Sequence, residues 1–110
     1  MRPRGIRRWD WLLVRGQLQF LDERNHGQVL ALADAPVEIG RHANCQIRMN
    51  LPGLERRHAR VWLESGAWWV APIAARASVR VGGVVVATRR ALRSGDVIAV
   101  GPLTITYYQD

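Results

Sequence analysis

The sequence contains no lysine, so all sixteen of its basic residues are arginines. Against nine acidic residues they give the chain a formal net charge of +7. A guanidinium offers a planar fork of donors that matches phosphate and carboxylate, whereas an ammonium is a point charge. The positive excess therefore favours acidic partners. A coding bias towards arginine is the alternative explanation, and it requires no function.

Cysteine is almost absent as well, since Cys45 is the only one. A single cysteine excludes an intrachain disulfide and a cysteine-based metal site. Its surroundings, "NCQIRM", resemble the start of a strand. We therefore expect a buried structural thiol and not a reactive one.

Long apolar runs and signal sequences are also missing. No run approaches the ~18 residues of a membrane-spanning helix, and the basic start "MRPRGIRRW" lacks the apolar centre of a signal peptide. We expect a cytoplasmic domain that does not itself contact a membrane. Residues 1–8 carry four arginines with a proline and a glycine, which predicts a flexible basic arm. Residues 9–110 are predicted to form a single domain.

Motifs for catalysis and cofactor binding do not occur. The chain has no glycine-rich phosphate loop, no Ser/His/Asp set and no spacing typical of metal ligands. His26 and His42 lie in turn-like stretches far along the chain from His58. We therefore expect no enzymatic activity, no metal site and no small-molecule cofactor.

Short strand-like runs make up most of the sequence, and turn residues separate them at spacings near ten. Several runs alternate apolar and polar residues, and no stretch has a helical period of useful length; "ATRRAL" could form one helical turn at most. The predicted strands are "WDWLLV", "GQVLAL", "PVEIG", "CQIRM", "ARVWLE", "AWWVAP", "SVRVGG", "DVIAV" and "LTITYY". This pattern is typical of an all-β, antiparallel β-sandwich.

Five tryptophans permit a stacking platform for single-stranded nucleic acid. However, Trp68 and Trp69 are adjacent in a predicted strand, so their side chains face opposite sides. We expect one of them in the core and favour core filling over stacking.

Residues 40–61, "GRHANCQIRMNLPGLERRHARV", resemble the signature of the forkhead-associated (FHA) domain. That signature has Gly-Arg, an Ile and a Leu after a short gap, a turn, and then Ser-Arg-x-His-Ala. Gly40-Arg41 and Arg56-x-His58-Ala59 match it without a gap, and "LRSGDVIAVG" is similar to the family's last turn and final strands. The resemblance implies a sandwich of about eleven short strands whose loops form a binding surface at one end.

The resemblance also implies a site, because FHA domains usually recognise phosphothreonine peptides. Arg41 takes the place of the phosphate-binding arginine, and His58 takes that of the histidine which supports the loop from behind. Gly40 takes the place of a glycine required by the backbone before the loop. Glu55, however, stands where the family has a phosphate-binding serine.

The later loop of the family, Asn-Gly-Thr, should correspond to "RASVRVGG". Counted back from Gly83, the place of the peptide-holding asparagine falls on Ala77, or on Arg76 or Ser78 after a slip of one residue. None of these residues is asparagine. The implied site therefore retains its arginine and histidine and lacks its serine and asparagine.

Glu55 suggests that the loop binds itself. One hypothesis is that the Glu55 carboxylate pairs with Arg41 and occupies the position of a phosphate. The alternative is a solvated glutamate on a turn, next to Arg56 and Arg57. Either way, the sequence predicts that phosphothreonine is not bound by the family's usual mechanism.

Three functions remain open. The first is a phospho-independent protein-interaction or scaffolding module. The second is a phosphothreonine reader in signalling that uses substitute arginines such as Arg56, Arg57, Arg76 and Arg80. The third, ranked last because no base-reading motif supports it, is a nucleic-acid binder acting through the arginine-rich surface. The expected partner is a protein, acidic or phosphorylated.

Overall fold

The computed structural model describes residues 15–109, which form two β-sheets around one core and contain no helix. This confirms the all-β sandwich of about eleven short strands. The strands are β1 (Gly16–Leu21), β2 (Gly27–Ala31), β3 (Val37–Gly40), β4 (Ile47–Arg48), β5 (Ala59–Glu64), β6 (Ala67–Pro72), β7 (Val79–Val81), β8 (Val84–Val85), β9 (Arg90–Ala91), β10 (Val97–Val100) and β11 (Leu103–Gln109). The predicted arm over residues 1–8 and the predicted strand "WDWLLV" lie outside the described residues.

The two sheets have different sizes. One has six strands in the order β2-β1-β11-β10-β7-β8, and the other has five in the order β4-β3-β5-β6-β9. Every strand pair is antiparallel except β3–β4, which is parallel. Alternation of apolar and polar residues does not encode this exception, because side chains alternate with a period of two in both kinds of sheet.

The period-two pattern determines which side chains reach the core. In β5, Ala59 and Val61 are fully buried while Arg60 between them is exposed. Trp68 is buried and Trp69 lies on the outer side, as expected for neighbours in a strand. The largest buried apolar side chains come from both sheets: Leu18, Ile39, Ile47, Trp68, Ile98, Ile105 and Tyr107. Their burial from water stabilises the sandwich.

Three strands were not predicted. β1 has the sequence "GQLQFL", in which glutamines occupy the outward positions. β8 and β9 have two residues each, and β9 lies within "ATRRAL", the stretch with a weak helical tendency. Strands this short carry too few residues for alternation to be visible, and they form because β7 and β6 provide partners.

Candidate functional site

Backbone hydrogen bonds hold four connections together at one end of the sandwich. The amide of Arg41, after β3, donates to the carbonyl of Glu55 before β5 at 3.1 Å. The amide of Ile73, after β6, donates to the carbonyl of His58 at 2.9 Å. The amide of Gly101, in the β10–β11 turn, donates to the carbonyl of Ser78 at 3.0 Å. The residues that the sequence singled out at 40–58 and 76–78 therefore meet, although they come from different strands.

His58 lies at the centre of this arrangement, with 1% of its surface exposed. Its Nε2 is 2.8 Å from the carbonyl oxygen of Ser78, and its Nδ1 is 3.0 Å from the backbone nitrogen of Glu55. A carbonyl oxygen only accepts and an amide N–H only donates. The imidazole is therefore the neutral tautomer with its hydrogen on Nε2, and it links the β4–β5 loop to the β6–β7 loop.

Two glycines allow the backbone to approach this closely. A Cβ at Gly40 would lie 2.2 Å from the carbonyl oxygen of Arg56 and 2.9 Å from that of Glu55. A Cβ at Gly101 would lie 2.8 Å from the Cε1 atom of His58. Gly101 also has a φ of 55°, which few other residues adopt. Both positions require glycine because they pack closely against the β4–β5 loop, which contains His58.

Arg41 is exposed and folds back over the β4–β5 loop. Its Nε donates a 2.6 Å hydrogen bond to the carbonyl oxygen of Leu54, a residue whose side chain is buried. The carbonyl oxygen of Arg41 accepts a hydrogen bond from the Nε of Arg48 at 3.0 Å. The Nε edge of the Arg41 guanidinium is therefore already engaged in a hydrogen bond within the protein.

Glu55 and Arg41 line the same shallow depression of about 410 Å³, together with residues 50–54. The hypothesis that the two side chains form an ion pair is wrong. Within residues 15–109 the ion pairs join Arg57 to Glu38 and Arg89 to Glu64, and no hydrogen bond links the Glu55 carboxylate to Arg41. The Nε of Arg41 donates instead to the carbonyl oxygen of Leu54, the residue before Glu55 in the β4–β5 loop.

The four other candidate arginines are exposed and differ in their surroundings. The Nε of Arg57 is 3.7 Å from Oε1 of Glu38, on the outer face of the five-stranded sheet. The backbone carbonyl oxygen of Arg56 accepts a hydrogen bond from the amide of His42 at 2.9 Å. Arg76 lies in the β6–β7 loop, at the same end of the sandwich as Arg41. Arg80 belongs to β7 and faces outward from the six-stranded sheet, where it pairs with Ala99 and Val85.

Ala77, the first-choice counterpart of the family's peptide-holding asparagine, offers no polar side chain. Ala77 is buried, with 8% of its surface exposed, and its amide donates to the carbonyl of Ala74 at 3.0 Å. Ser78 is exposed, and its carbonyl oxygen accepts from both His58 and Gly101. Gly83 lies in the β7–β8 hairpin turn with a φ of 82°, and Gly82 before it also has a positive φ, of 56°. Gly83 is therefore a turn residue and does not belong to the four connections that meet around His58.

Cys45 lies in the β3–β4 loop, which also carries Arg41, and it is buried, as the sequence predicted. Its Sγ is 3.5 Å from the carbonyl oxygen of Arg56. Burial, and secondly the negative charge of Glu38, raise the pKa of the thiol above its usual value. The thiol is therefore a packing element of the β3–β4 loop.

The sequence did not point to Leu54 or Gly101 as parts of this site. Leu54 contributes through its backbone carbonyl, which carries no residue-specific signal. Gly101 belongs to "VGPL", where a glycine before a proline indicates a turn but not its partner. Within residues 15–109 no group of three or more His, Cys, Asp or Glu side chains could hold a metal ion. The same residues contain no helix that is long and apolar enough to cross a membrane.

Comparison with known proteins gives a consistent result. The family model described as the FHA domain matches residues 37–101. No curated protein matches the sequence. Among solved structures, the FhaA FHA domain complexed with the intracellular domain of Rv3910 is 25% identical, with a TM-score of 0.73 over 84% of this chain and 98% of that one.

Two further solved structures are similar. One comes from a structural and functional analysis of phosphothreonine-dependent FHA domain interactions; it is 24% identical, with a TM-score of 0.75 over 87% of this chain and 97% of that one. The other is the FHA domain of the CT664 protein from Chlamydia trachomatis, which is 18% identical, with a TM-score of 0.76 over 86% and 96% of the two chains. At these identities the last two show a shared fold.

Proposed function

Because the chain belongs to the FHA domain family, we propose that it is a protein-interaction module which binds its partner without requiring phosphothreonine. FHA domains are interaction modules and not enzymes, and relatives such as FhaA have been solved with protein partners. We place the contact with the partner at the end of the sandwich formed by the loops around Arg41 and His58.

The observation that carries the proposal is the composition of the depression beside Arg41. Glu55 lines it from the position where the family has a phosphate-binding serine, and the Nε of Arg41 already donates to Leu54. A phosphate at this place would meet a carboxylate on one side and an arginine with one donor already engaged on the other. The depression therefore suits an uncharged or cationic group better than a phosphate.

Approximate energies support this choice. A phosphate carries about −1.5 to −2 charges, and a carboxylate ~4 Å away costs about 1 kcal/mol per unit charge in water and about 4 in a partly buried setting. The lost serine donor adds roughly 1.5–3 kcal/mol. A micromolar peptide has only about −8 kcal/mol of binding free energy. The sum leaves phosphothreonine binding near or beyond the millimolar range.

The rest of the loop end favours a protein with acidic groups at the margin of the contact. Arg56 and Arg76 are exposed there and have no acidic partner among residues 15–109. Such rim charges increase the rate of association more than the affinity. A scaffolding role and a cytoplasmic location belong to this proposal.

The same two arginines support a second candidate, a phosphothreonine reader that uses substitute cations. Arg56 belongs to the β4–β5 loop and Arg76 to the β6–β7 loop, the two loops that His58 links, and in this candidate the two guanidinium groups bind the phosphate together. This candidate predicts saturable, phosphate-dependent binding by the unaltered protein.

Nuclear magnetic resonance titration with phosphothreonine peptides and their unphosphorylated counterparts tests both candidates. We expect no phosphate-dependent shift of the amides of residues 41–58 in the unaltered protein up to about 1 mM peptide. The Glu55→Ser variant should bind the phosphopeptide at least about ten-fold more tightly, because a carboxylate is removed and a donor restored. Addition of Ala77→Asn should increase the affinity further.

Asp34→Ser is the matched control, since it removes one exposed carboxylate before β3, at the other end of the sandwich. It should leave phosphopeptide binding unchanged. Saturable micromolar binding by the unaltered protein would refute the proposal and support the second candidate.

A further inference from the structure

The outer face of the six-stranded sheet differs from the rest of the surface in its lack of charge. Its outward residues alternate along each strand with buried ones such as Leu18, Ile98 and Ile105. Arg80 is the one charged residue among the outward strand positions that the structure describes. The others are Gln17, Gln19, Leu21, Gly27, Val29, Ala31, Val85, Val97, Ala99, Thr104, Thr106 and Tyr108.

Several of these residues expose large apolar side chains. The exposed fractions are 63% for Val29, 56% for Leu21, 60% for Val85 and 46% for Val97. The outer face of the five-stranded sheet, in contrast, carries Arg48, Glu38, Arg60 and Glu64, with Arg89 over the ring of Trp69. A net charge of +7 makes two copies of the chain repel each other wherever arginines are displayed. The outer face of the six-stranded sheet avoids that repulsion.

The face also has complementary charges at two of its corners. Thr104, Ala99 and Arg80 are neighbours in one row across β11, β10 and β7. Leu21 lies at the same level, since Phe20 pairs with Ile105. The β1–β2 loop after it carries two acidic residues, Asp22 and Glu23, against one arginine, Arg24, so it is acidic on balance. An acidic corner and a basic corner therefore lie at the same end of the strands.

The strand order makes these corners symmetric. In the order β2-β1-β11-β10-β7-β8, strands β1 and β7 are equally distant from the line between β11 and β10. Rotation of a second copy about a two-fold axis along that line places its β7 over β1 and its β1 over β7. Each Arg80 then faces the acidic corner of the other copy, while Thr106 and Val97 lie near the axis. Such a self-complementary patch is what an isologous dimer requires.

We propose that the outer face of the six-stranded sheet is a homodimer interface, on which a second copy of this chain packs face to face about a two-fold axis parallel to the strands. The interface is distinct from the loop end around Arg41, so it does not depend on what that end binds. The two loop ends then point the same way in the dimer, which would present two binding sites side by side.

Sedimentation equilibrium of the full 110-residue chain tests the proposal over about 1 µM to 1 mM protein. We expect the mass to double within that range. Val29→Arg, in edge strand β2, should weaken dimerisation at least about ten-fold because it places like charges in the interface. Ala91→Arg is the matched control: it adds the same charge at an exposed position of edge strand β9 in the other sheet, and it should change the affinity by no more than about two-fold.

A charge swap tests the two-fold geometry. Glu23→Arg and Arg80→Glu should each weaken the dimer, and the double variant should recover most of the affinity. Asp22 stays unaltered, because its carboxylate accepts hydrogen bonds from the amides of Arg24 and His26 and so shapes the loop. A monomer throughout the range, equal weakening by Val29→Arg and Ala91→Arg, or no recovery in the double variant would each overturn the proposal.

Discussion

The imidazole of His58 donates a 2.8 Å hydrogen bond to the carbonyl oxygen of Ser78 and so joins the two sheets of the sandwich. His58 immediately precedes β5 of the five-stranded sheet, and Ser78 immediately precedes β7 of the six-stranded sheet. The same ring accepts from the amide of Glu55. One buried side chain therefore determines the relative positions of the loops in which the partner contacts are proposed.

Replacement of His58 by alanine should destabilise the fold by about 3 kcal/mol, because it leaves a buried amide and a carbonyl without partners. Urea denaturation measures the loss, and faster exchange of the Glu55 amide hydrogen would locate it. The control is His26→Ala in the exposed β1–β2 loop, which should cost less than about 0.5 kcal/mol. Similar losses for the two variants would contradict the role of His58.

Gly40→Ala should be as costly, at about 3 kcal/mol, since the new Cβ would lie 2.2 Å from the Arg56 carbonyl oxygen and the backbone would have to move. Gly27→Ala is the matched control, because its Cβ would meet nothing within 4 Å. We expect the control to stay within about 0.5 kcal/mol of the unaltered protein. Thermal unfolding of both variants compares them, and a tolerated Gly40→Ala would show that the loop adapts.

Glu64 should contribute to acid sensitivity. Hydrogen bonds from Arg89 and then Trp62 lower the pKa of its carboxyl below the usual 4.5. A lowered pKa in the folded state means that the contribution is present above pH 4.5 and is lost as the pH falls through the lower, folded value. Thermal melts from pH 7 to about 2.5 should therefore show a smaller decrease for Glu64→Gln than for the unaltered chain. Equal decreases in melting temperature for the two proteins would rule out a contribution of Glu64 to acid sensitivity.

The Cys45 thiol should resist alkylation in the folded protein. It is buried, and its pKa is raised, so little thiolate is present or accessible. Iodoacetamide, followed by mass spectrometry, should modify it at least about 100-fold more slowly in the native state than in urea. Because it is the only cysteine, every adduct reports this position. Equal rates would mean that the β3–β4 loop opens readily.

The predictability of the fold varied from strand to strand. β5 and β6 were predicted with their observed bounds, because a run of six residues rich in valine and tryptophan and bounded by turn signals leaves little ambiguity. β9 was not, since Arg90 and Ala91 form a strand only through pairing with Trp69 and Val70. A two-residue strand has no pattern of its own.

The candidate site was only partly predictable for a related reason. The positions of Arg41 and His58 follow from a motif with a fixed register. Of the two alternatives for Glu55, the ion pair with Arg41 is wrong, because Leu54 offers a backbone carbonyl to the arginine and every residue type carries such a carbonyl. The residue types in the sequence therefore do not predict that the Leu54 carbonyl binds Arg41 in place of Glu55.

The amino-acid sequence by itself determined the sandwich, the excess of arginine, the placement of Arg41 and His58, and the absence of a serine and an asparagine from the expected site. These follow from residue identity, spacing and alternation, which are local properties. Tertiary structure alone decided that Arg41 bonds to Leu54, that His58 joins the two sheets, and that Arg80 and the acidic residues of the β1–β2 loop lie at the same end of one sheet face. Such relationships depend on which distant strands become neighbours, and the chain specifies those neighbours only when the whole core packs.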